Sequence, residues 1–225
     1  MISYLKLGAL VGGMTLALAA CGNQPDQGSV LNAIKGGALK KSRETSAVPT
    51  AEELSRNIGL ALKNTDKRLA IAVVENRNSF TFLTEVANNG AYSTWGSPDR
   101  RTISEKNGVV TATRGLGADL MSAEVGNSLA LIVNRRSGNA SRTHVYLNGE
   151  NQEQIMQLTC SIKALGAESI AIGEISGTVT VLVEECSGPN VAFENTYKVT
   201  PSGRIVQSRQ WLGPVNGYLT IQKLR

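Results

Sequence analysis

The chain of 225 residues reads as a mainly β protein: an antiparallel sandwich or barrel-like sheet with one N-terminal amphipathic helix. Three observations predict this. After residue 68, about a dozen short stretches alternate apolar and polar residues with period two, the pattern of strands with two unlike faces. Between them recur Asn-Gly, Ser-Gly and Gly-Pro pairs. Asn-Gly tolerates the positive φ that both central residues of a tight hairpin turn require. No helical stretch alternates with the strands at the length a parallel crossover needs. Apolar content of 41% and charge of 18% are those of an ordinary globular protein. Aromatics at 4% leave the core to Val, Ile, Leu and Ala.

The elements follow in chain order. Residues 1–20 are a lipoprotein signal peptide: Lys6, then an apolar run from Leu7 to Ala20 that is short for a membrane span. It ends in Leu18-Ala19-Ala20-Cys21, which resembles the lipobox of bacterial lipoproteins, with Cys21 as the lipidated residue. Several acyl chains together make a stable anchor where one is marginal. Gly22, where an inner-membrane lipoprotein usually carries Asp, points to the outer membrane, with the domain facing the periplasm. Residues 21–49 are the lipidated cysteine and a flexible tether rich in Gly, Asn, Gln, Ser and Lys, spanning roughly 30 Å as a coil. A short helix within Ser29–Lys35 is compatible with Val30, Leu31 and Ile34 sharing a face.

Residues 50–225 form a single β-rich domain. Thr50-Ala51-Glu52-Glu53 opens a helix with a capping box. Leu54, Ile58, Ala61 and Leu62 make its apolar stripe, and Asn64 its end. The strands then read LAIAVVE, SFTFLTEVA, TISEK, VVTATR, SLALIV, THVYLN, QIMQLTCSI, ESIAIG, TVTVLVEE, VAFENTYKVT, RIVQSRQWL and YLTIQKL. With Cys21 taken by lipid, Cys160 and Cys186 remain to pair in an oxidising compartment. The loop of about 27 residues would contribute roughly 3.5 kcal/mol. The alternative is two free thiols. No cysteine or histidine spacing suggests a metal, and no cofactor is expected.

Candidate functional residues cluster in one stretch. Between Thr94 and Leu120 the chain carries Trp95, Arg100, Arg101, Lys106 and Arg114 around an Asn107-Gly108 hairpin. Arg100, Arg101 and Arg114 are candidates for an acidic glycan or a partner surface, or else a solvated or internally paired set. Trp95 and Trp211 are either sugar-stacking platforms or core. Arg114-Gly115-Leu116-Gly117 leads into no helix whose N-terminus could face a phosphate. The net charge of +5 comes from 23 basic and 18 acidic residues well interspersed. That predicts a solvated surface and no nucleic-acid partner.

A catalytic role is not expected. The lone His144 sits in THVYLN, on what reads as the wet face with Tyr146 and Asn148. No G-x-S-x-G elbow accompanies it. Glu184 and Glu185 are adjacent on a strand and point to opposite faces, so they are no acid–base pair.

Two motifs carry a family resemblance: Tyr92-Ser93-Thr94-Trp95-Gly96-Ser97-Pro98 continuing to Thr111–Leu120, and Gln210-Trp211-Leu212-Gly213-Pro214. They resemble the YjbF/GfcB lipoproteins, associated with exopolysaccharide and group 4 capsule production. The resemblance covers roughly residues 50 to 225. It implies an outer-membrane lipoprotein that is accessory to polysaccharide production or export. The partners implied are an outer-membrane β-barrel or polysaccharide-export protein, with direct binding of an acidic exopolysaccharide as the alternative. It brings no catalytic residues.

Overall fold

The computed structural model describes residues 49–225. The expected signal peptide, Cys21 and the expected tether, with the helix expected within Ser29–Lys35, lie outside the described residues.

Helix α1 (Ala51–Lys63) begins with the expected capping box. The Glu53 amide donates to Thr50 Oγ1 at 3.3 Å and the Thr50 amide donates to Glu53 Oε2 at 3.0 Å. Asn64 ends the helix. Twelve strands follow: β1 (Leu69–Val74), β2 (Ser79–Asn89), β3 (Tyr92–Gly96), β4 (Thr102–Lys106), β5 (Val109–Arg114), β6 (Ser122–Glu124), β7 (Gly138–Leu147), β8 (Glu153–Ile172), β9 (Ile175–Gly188), β10 (Val191–Val199), β11 (Ile205–Gly213) and β12 (Gly217–Lys223). A short 3₁₀ turn (Glu75–Arg77) links β1 to β2, and helix α2 (Gly126–Val133) links β6 to β7.

All strands join one antiparallel sheet in the order β5-β4-β3-β2-β1-β12-β11-β10-β9-β8-β7-β6. The order is an up-and-down meander rotated in sequence, with β12 returning beside β1. Strands β5 and β6 therefore stand at opposite ends of the sheet although consecutive in the chain. They meet across a seam. Across it the Thr113 amide donates to the Leu120 carbonyl at 2.9 Å, while on its other side the same segment joins β7, the Met121 amide donating to the Val145 carbonyl at 2.8 Å. The sheet is thus rolled into a nearly closed barrel, which decides between the two architectures the strand pattern allowed.

The core lies inside the roll. Leu158, Leu182, Tyr197 and Val199 fill one half, and Leu83, Trp95, Ile103, Leu212 and Leu219 the other. Strand β1 is covered on both faces. Ala70, Ala72 and Val74 point inward, while Leu69 and Ile71 pack under Ile58 of α1 with Leu54, Ala61 and Leu62 around it. The helix stripe read from the sequence is therefore core. Asn107 and Gly108 take φ of 47° and 94° in the expected β4–β5 hairpin. A Cβ on Gly108 would lie 2.7 Å from the Ile205 Cβ, so glycine is needed there for space as well as conformation.

Several expectations need correction. SLALIV is not a strand but most of α2, burying Leu129 and Ile132. A short apolar run carries no period that separates helix from strand, and its inner face is decided by packing against β7, β8 and β10. The domain thus has a second helix. QIMQLTCSI and ESIAIG are one strand, β8, which continues through a register shift between Ala164 and Gly166. Tyr92–Gly96 and Ser122–Glu124 are strands the alternation did not reveal. His144 lies on the inner face, fully buried, whereas Val145 and Leu147 of the opposite face are partly exposed and exposed. Period two separates the faces of THVYLN, but the more polar face is the inner one here.

Candidate functional site

The barrel interior carries two buried charge networks. Lys223 Nζ donates to Glu105 Oε2 at 2.6 Å, and the Trp95 indole N–H donates to the same oxygen at 2.7 Å. The ammonium also sits 3.8 Å from the Trp95 ring centroid, a cation–π contact inside the protein. Burial lowers the Lys223 pKa, Glu105 opposes that shift, and Arg68 adds to it. In the second network Glu184 Oε2 accepts from Arg142 at 2.7 Å, Asn195 at 2.8 Å and Tyr197 at 2.8 Å. Burial alone would raise the Glu184 carboxyl. Arg142 and the hydrogen bonds from Asn195 and Tyr197 outweigh it and hold the carboxyl below its ordinary range. Glu184 Oε1 and Arg142 Nε have no partner among the described residues, which reduces the net worth of such a pair.

His144 stands beside this network, 6.2 Å from the Phe193 ring and 6.4 Å from Trp211. Burial first, then the Arg142 charge, pushes its pKa down to about 3, so the imidazole stays neutral. Glu185 points outward to Lys163 at 2.8 Å, so the two adjacent glutamates do face opposite ways. Cys160 and Cys186 are directly paired across β8 and β9 and form the disulfide, with Cα atoms 4.1 Å apart. Their sulfurs lie near Glu184, but both are consumed by the bond.

The tryptophans divide between these surroundings. Trp95 is fully buried, and Trp211 stacks on Phe193 with ring centroids 4.5 Å apart. The structure gives both rings to the core. The arginines lie at one end of the barrel, where the loops 74–79, 96–102, 114–122 and 213–217 gather. Arg100 is exposed with φ 67° in the β3–β4 turn. Arg101 pairs with Asp99 at 3.0 Å. Arg114 folds back onto its own loop, donating to the Thr113 carbonyl at 2.6 Å and the Leu120 carbonyl at 3.3 Å. Lys106 is at the other end, its ammonium 5.4 Å from the Tyr92 ring.

The loop after Arg114 closes the seam. Asp119 accepts from Thr113 Oγ1 at 2.8 Å, the Gly115 amide at 2.9 Å and the Leu116 amide at 3.0 Å. Asn216 then ties this loop to the β11–β12 turn. It donates to the carbonyls of Gly117 at 2.8 Å and Ala118 at 3.1 Å, and accepts from Arg77 at 2.7 Å. On the same edge the Gln210 side chain accepts from the Val110 amide at 2.9 Å and donates to the Gly108 carbonyl at 3.1 Å. Gln210 of the second motif thus supplies partners for the edge strand β5, and Asn216, just beyond that motif, for the loop that follows it.

Residues 50–224 match the family described as "Group 4 capsule polysaccharide lipoprotein gfcB, YjbF". The chain belongs to this family. The chain shares its fold with the hypothetical lipoprotein YmcC from Escherichia coli K12, with a TM-score of 0.65 at 18% identity over 80% of this chain and 97% of that one. A putative exported protein with a YmcC-like fold from Bacteroides fragilis NCTC 9343 matches with a TM-score of 0.28 at 10% identity, covering 71% of this chain and 93% of that one. No curated protein sequence matches. Among the described residues no helix is long and apolar enough to cross a membrane.

At the loop-rich end the domain has a cleft of about 120 Å³. Ser79, Thr81, Ser97, Asp99 and Arg101 form its polar lip, over a floor that includes Leu83, Ile103, Leu116 and Leu219. Of the residues singled out in the sequence, only Arg101 lines it. Sequence reasoning missed the rest of the lip, and missed Glu105, Arg142, Glu184, Asn195 and Lys223 as interior groups. A signal for two of these existed: Glu105 and Lys223 each continue an apolar face at i+2, after Ile103 and Ile221.

Proposed function

We propose that this capsule lipoprotein is a non-catalytic accessory of capsule or exopolysaccharide production or export. Acyl chains on Cys21 hold it at the outer membrane with the β domain in the periplasm, and it acts through an envelope protein, either a β-barrel or a polysaccharide-export component. The observation that carries this reading is the family match across the whole folded domain. The lipobox and Gly22 support the location. The interior supports the non-catalytic part: its carboxylates Glu105 and Glu184 are engaged by Lys223 and Arg142 behind packed side chains. Its histidine is enclosed.

The exposed apolar residues Ile155 and Val215, 61% and 62% accessible, offer sites for photo-crosslinking amino acids in polymer-producing cells. The expected result is a covalent adduct with an outer-membrane or export protein of the polysaccharide machinery, lost in a Cys21→Ser variant. Adducts identical to those of an unrelated lipoprotein control at both positions would overturn the proposal.

A further inference from the structure

Strands β8 and β9 run past the rest of the sheet. Strand β7 stops pairing with β8 at Gly138 and Ile162, and β10 stops pairing with β9 at Val199 and Thr180. Beyond those points β8 and β9 pair only with each other, as far as Ile172 and Ile175. We propose that the free edge of β8, from Ala167 to Ala171, pairs antiparallel with the same edge of a second copy of this chain, about a two-fold axis at Ser169.

The register decides which backbone groups are available. Ile172 and Ile175 flank the two-residue turn Gly173-Glu174 and form its closing hydrogen-bonded pair. Bonded residues alternate along an antiparallel ladder, so Ile170 and Glu168 also bond to β9. Ala171, Ser169 and Ala167 then turn their amides and carbonyls the other way. Among the described residues no strand lies there to receive them. Before the bulge the Ala164 amide also points outward, and the Ser137 hydroxyl accepts it at 3.1 Å. Among the described residues no side chain does the same for the three residues after the bulge.

The edge carries little that would repel a partner. Exposed edges are ordinarily guarded by Lys, Pro or inward-pointing charges. Ala167, Ser169 and Ala171 are exposed, small and uncharged. The nearest charges are used within the chain, Lys163 on Glu185 and Glu168 on Lys198, each at 2.8 Å. The hairpin is also held in place. Ile170 packs with Ile175, Val179 and Val206, and Ile172 joins the cluster under α1. The Glu174 amide donates to the Leu224 carbonyl at 2.8 Å, and Arg225 holds the Glu174 carboxylate at 2.7 Å. A strand already fixed by its own fold loses little freedom on pairing.

Self-complementarity selects a second copy as the occupant. With the axis at Ser169, Ser169 faces Ser169 and Ala167 faces Ala171 in both directions. Every outward amide and carbonyl of the three residues then meets its complement. Glu168 falls opposite Ile170 and not opposite another Glu168, so no like charges are opposed. Glu174 of each copy falls opposite Ala164 of the other, next to Ser137 and the exposed Arg136, which adds a contact of opposite charge. A ladder this short makes a weak interface, with a Kd on the order of 100 µM.

The test uses the purified full chain in detergent micelles. Ser169→Cys should give a disulfide-linked dimer on mild oxidation, because Cα atoms of a hydrogen-bonded pair lie about 5.5 Å apart, within disulfide reach. Asn139→Cys, exposed on β7, controls for random collision and should give far less. Adding Ala171→Pro removes an outward amide and no bond to β9. It should lower the Ser169→Cys dimer about tenfold or more, and Ala167→Pro replaces it if the urea midpoint moves. In the unmodified chain, hydrogen exchange at residues 167–171 should slow as protein concentration rises from roughly 5 to 500 µM. Equal trapping at positions 169 and 139, or trapping that survives the proline block, would overturn the proposal. So would exchange independent of concentration, and protection of that kind would assign the edge to an occupant other than a second copy.

Discussion

Consider Glu184→Gln. The Glu184 and Arg142 side chains are 0% and 2% exposed, and Glu184 Oε2 gathers the donors of Arg142, Asn195 and Tyr197. The amide is nearly isosteric, so little packing is lost, but the guanidinium stays charged and buried without its counter-ion. Stranding one member of a buried pair costs about 3–5 kcal/mol, a large share of the ~5–15 kcal/mol that holds a typical domain folded. With a urea slope of about 2 kcal/mol/M, the midpoint should fall by about 2 M.

The pH dependence has a definite sign. The folded-state pKa of Glu184 is depressed by Arg142 and its hydrogen bonds against the opposing effect of burial. Its stabilising contribution is therefore fully present above the unfolded value of about 4.3 and is lost as pH falls through the folded value. The gap between wild type and variant should be constant from about pH 5 to 8 and shrink below about pH 4. A companion Arg142→Met/Glu184→Leu protein strands no charge and should cost less than Glu184→Gln alone. Equilibrium urea unfolding of the non-reduced protein, followed by far-ultraviolet circular dichroism, measures all three. A midpoint shift under about 0.3 M, or a double variant less stable than the single, would refute this account of the buried pair.

Two further outcomes follow from the seam and the disulfide. Asp119→Ala removes the acceptor for Thr113, Gly115 and Leu116. It should cost about 2–3 kcal/mol, with faster hydrogen exchange concentrated in residues 113–121; unchanged protection there would mean that the seam closes without this carboxylate. Cys160→Ala/Cys186→Ala opens a loop of separation 26 and should lower stability by roughly 3.5 kcal/mol, checked by the same urea titration run beside the oxidised wild type.

What the sequence by itself determined is local. The capping box at Thr50 and Glu53, the Asn107-Gly108 turn with its positive φ angles and most strands depend on interactions within a few residues, so their signals are contiguous. The cysteine pairing was legible for another reason: with Cys21 assigned to lipid, only two sulfurs remained. The run Leu18-Ala19-Ala20-Cys21 that resembles a lipobox is a linear pattern, so the expectation it carries needs no fold to be read.

Only the tertiary structure decided which face of each strand is inside. Period two separates two faces, but a sheet rolled on itself encloses one of them whatever its polarity. His144 therefore lies inward on a face that local patterning read as wet. Lys223 finds Glu105 from 118 residues away and Arg142 finds Glu184 from 42, separations at which composition carries no trace of a partner. Strands β5 and β6 are adjacent in sequence yet close the barrel from opposite ends of the sheet. That closure brings the 97–101 turn, the 115–118 loop and the first residues of β2 around one cleft. The arginines could be seen in the chain, but which of them shares that cleft is fixed by the closure of the sheet.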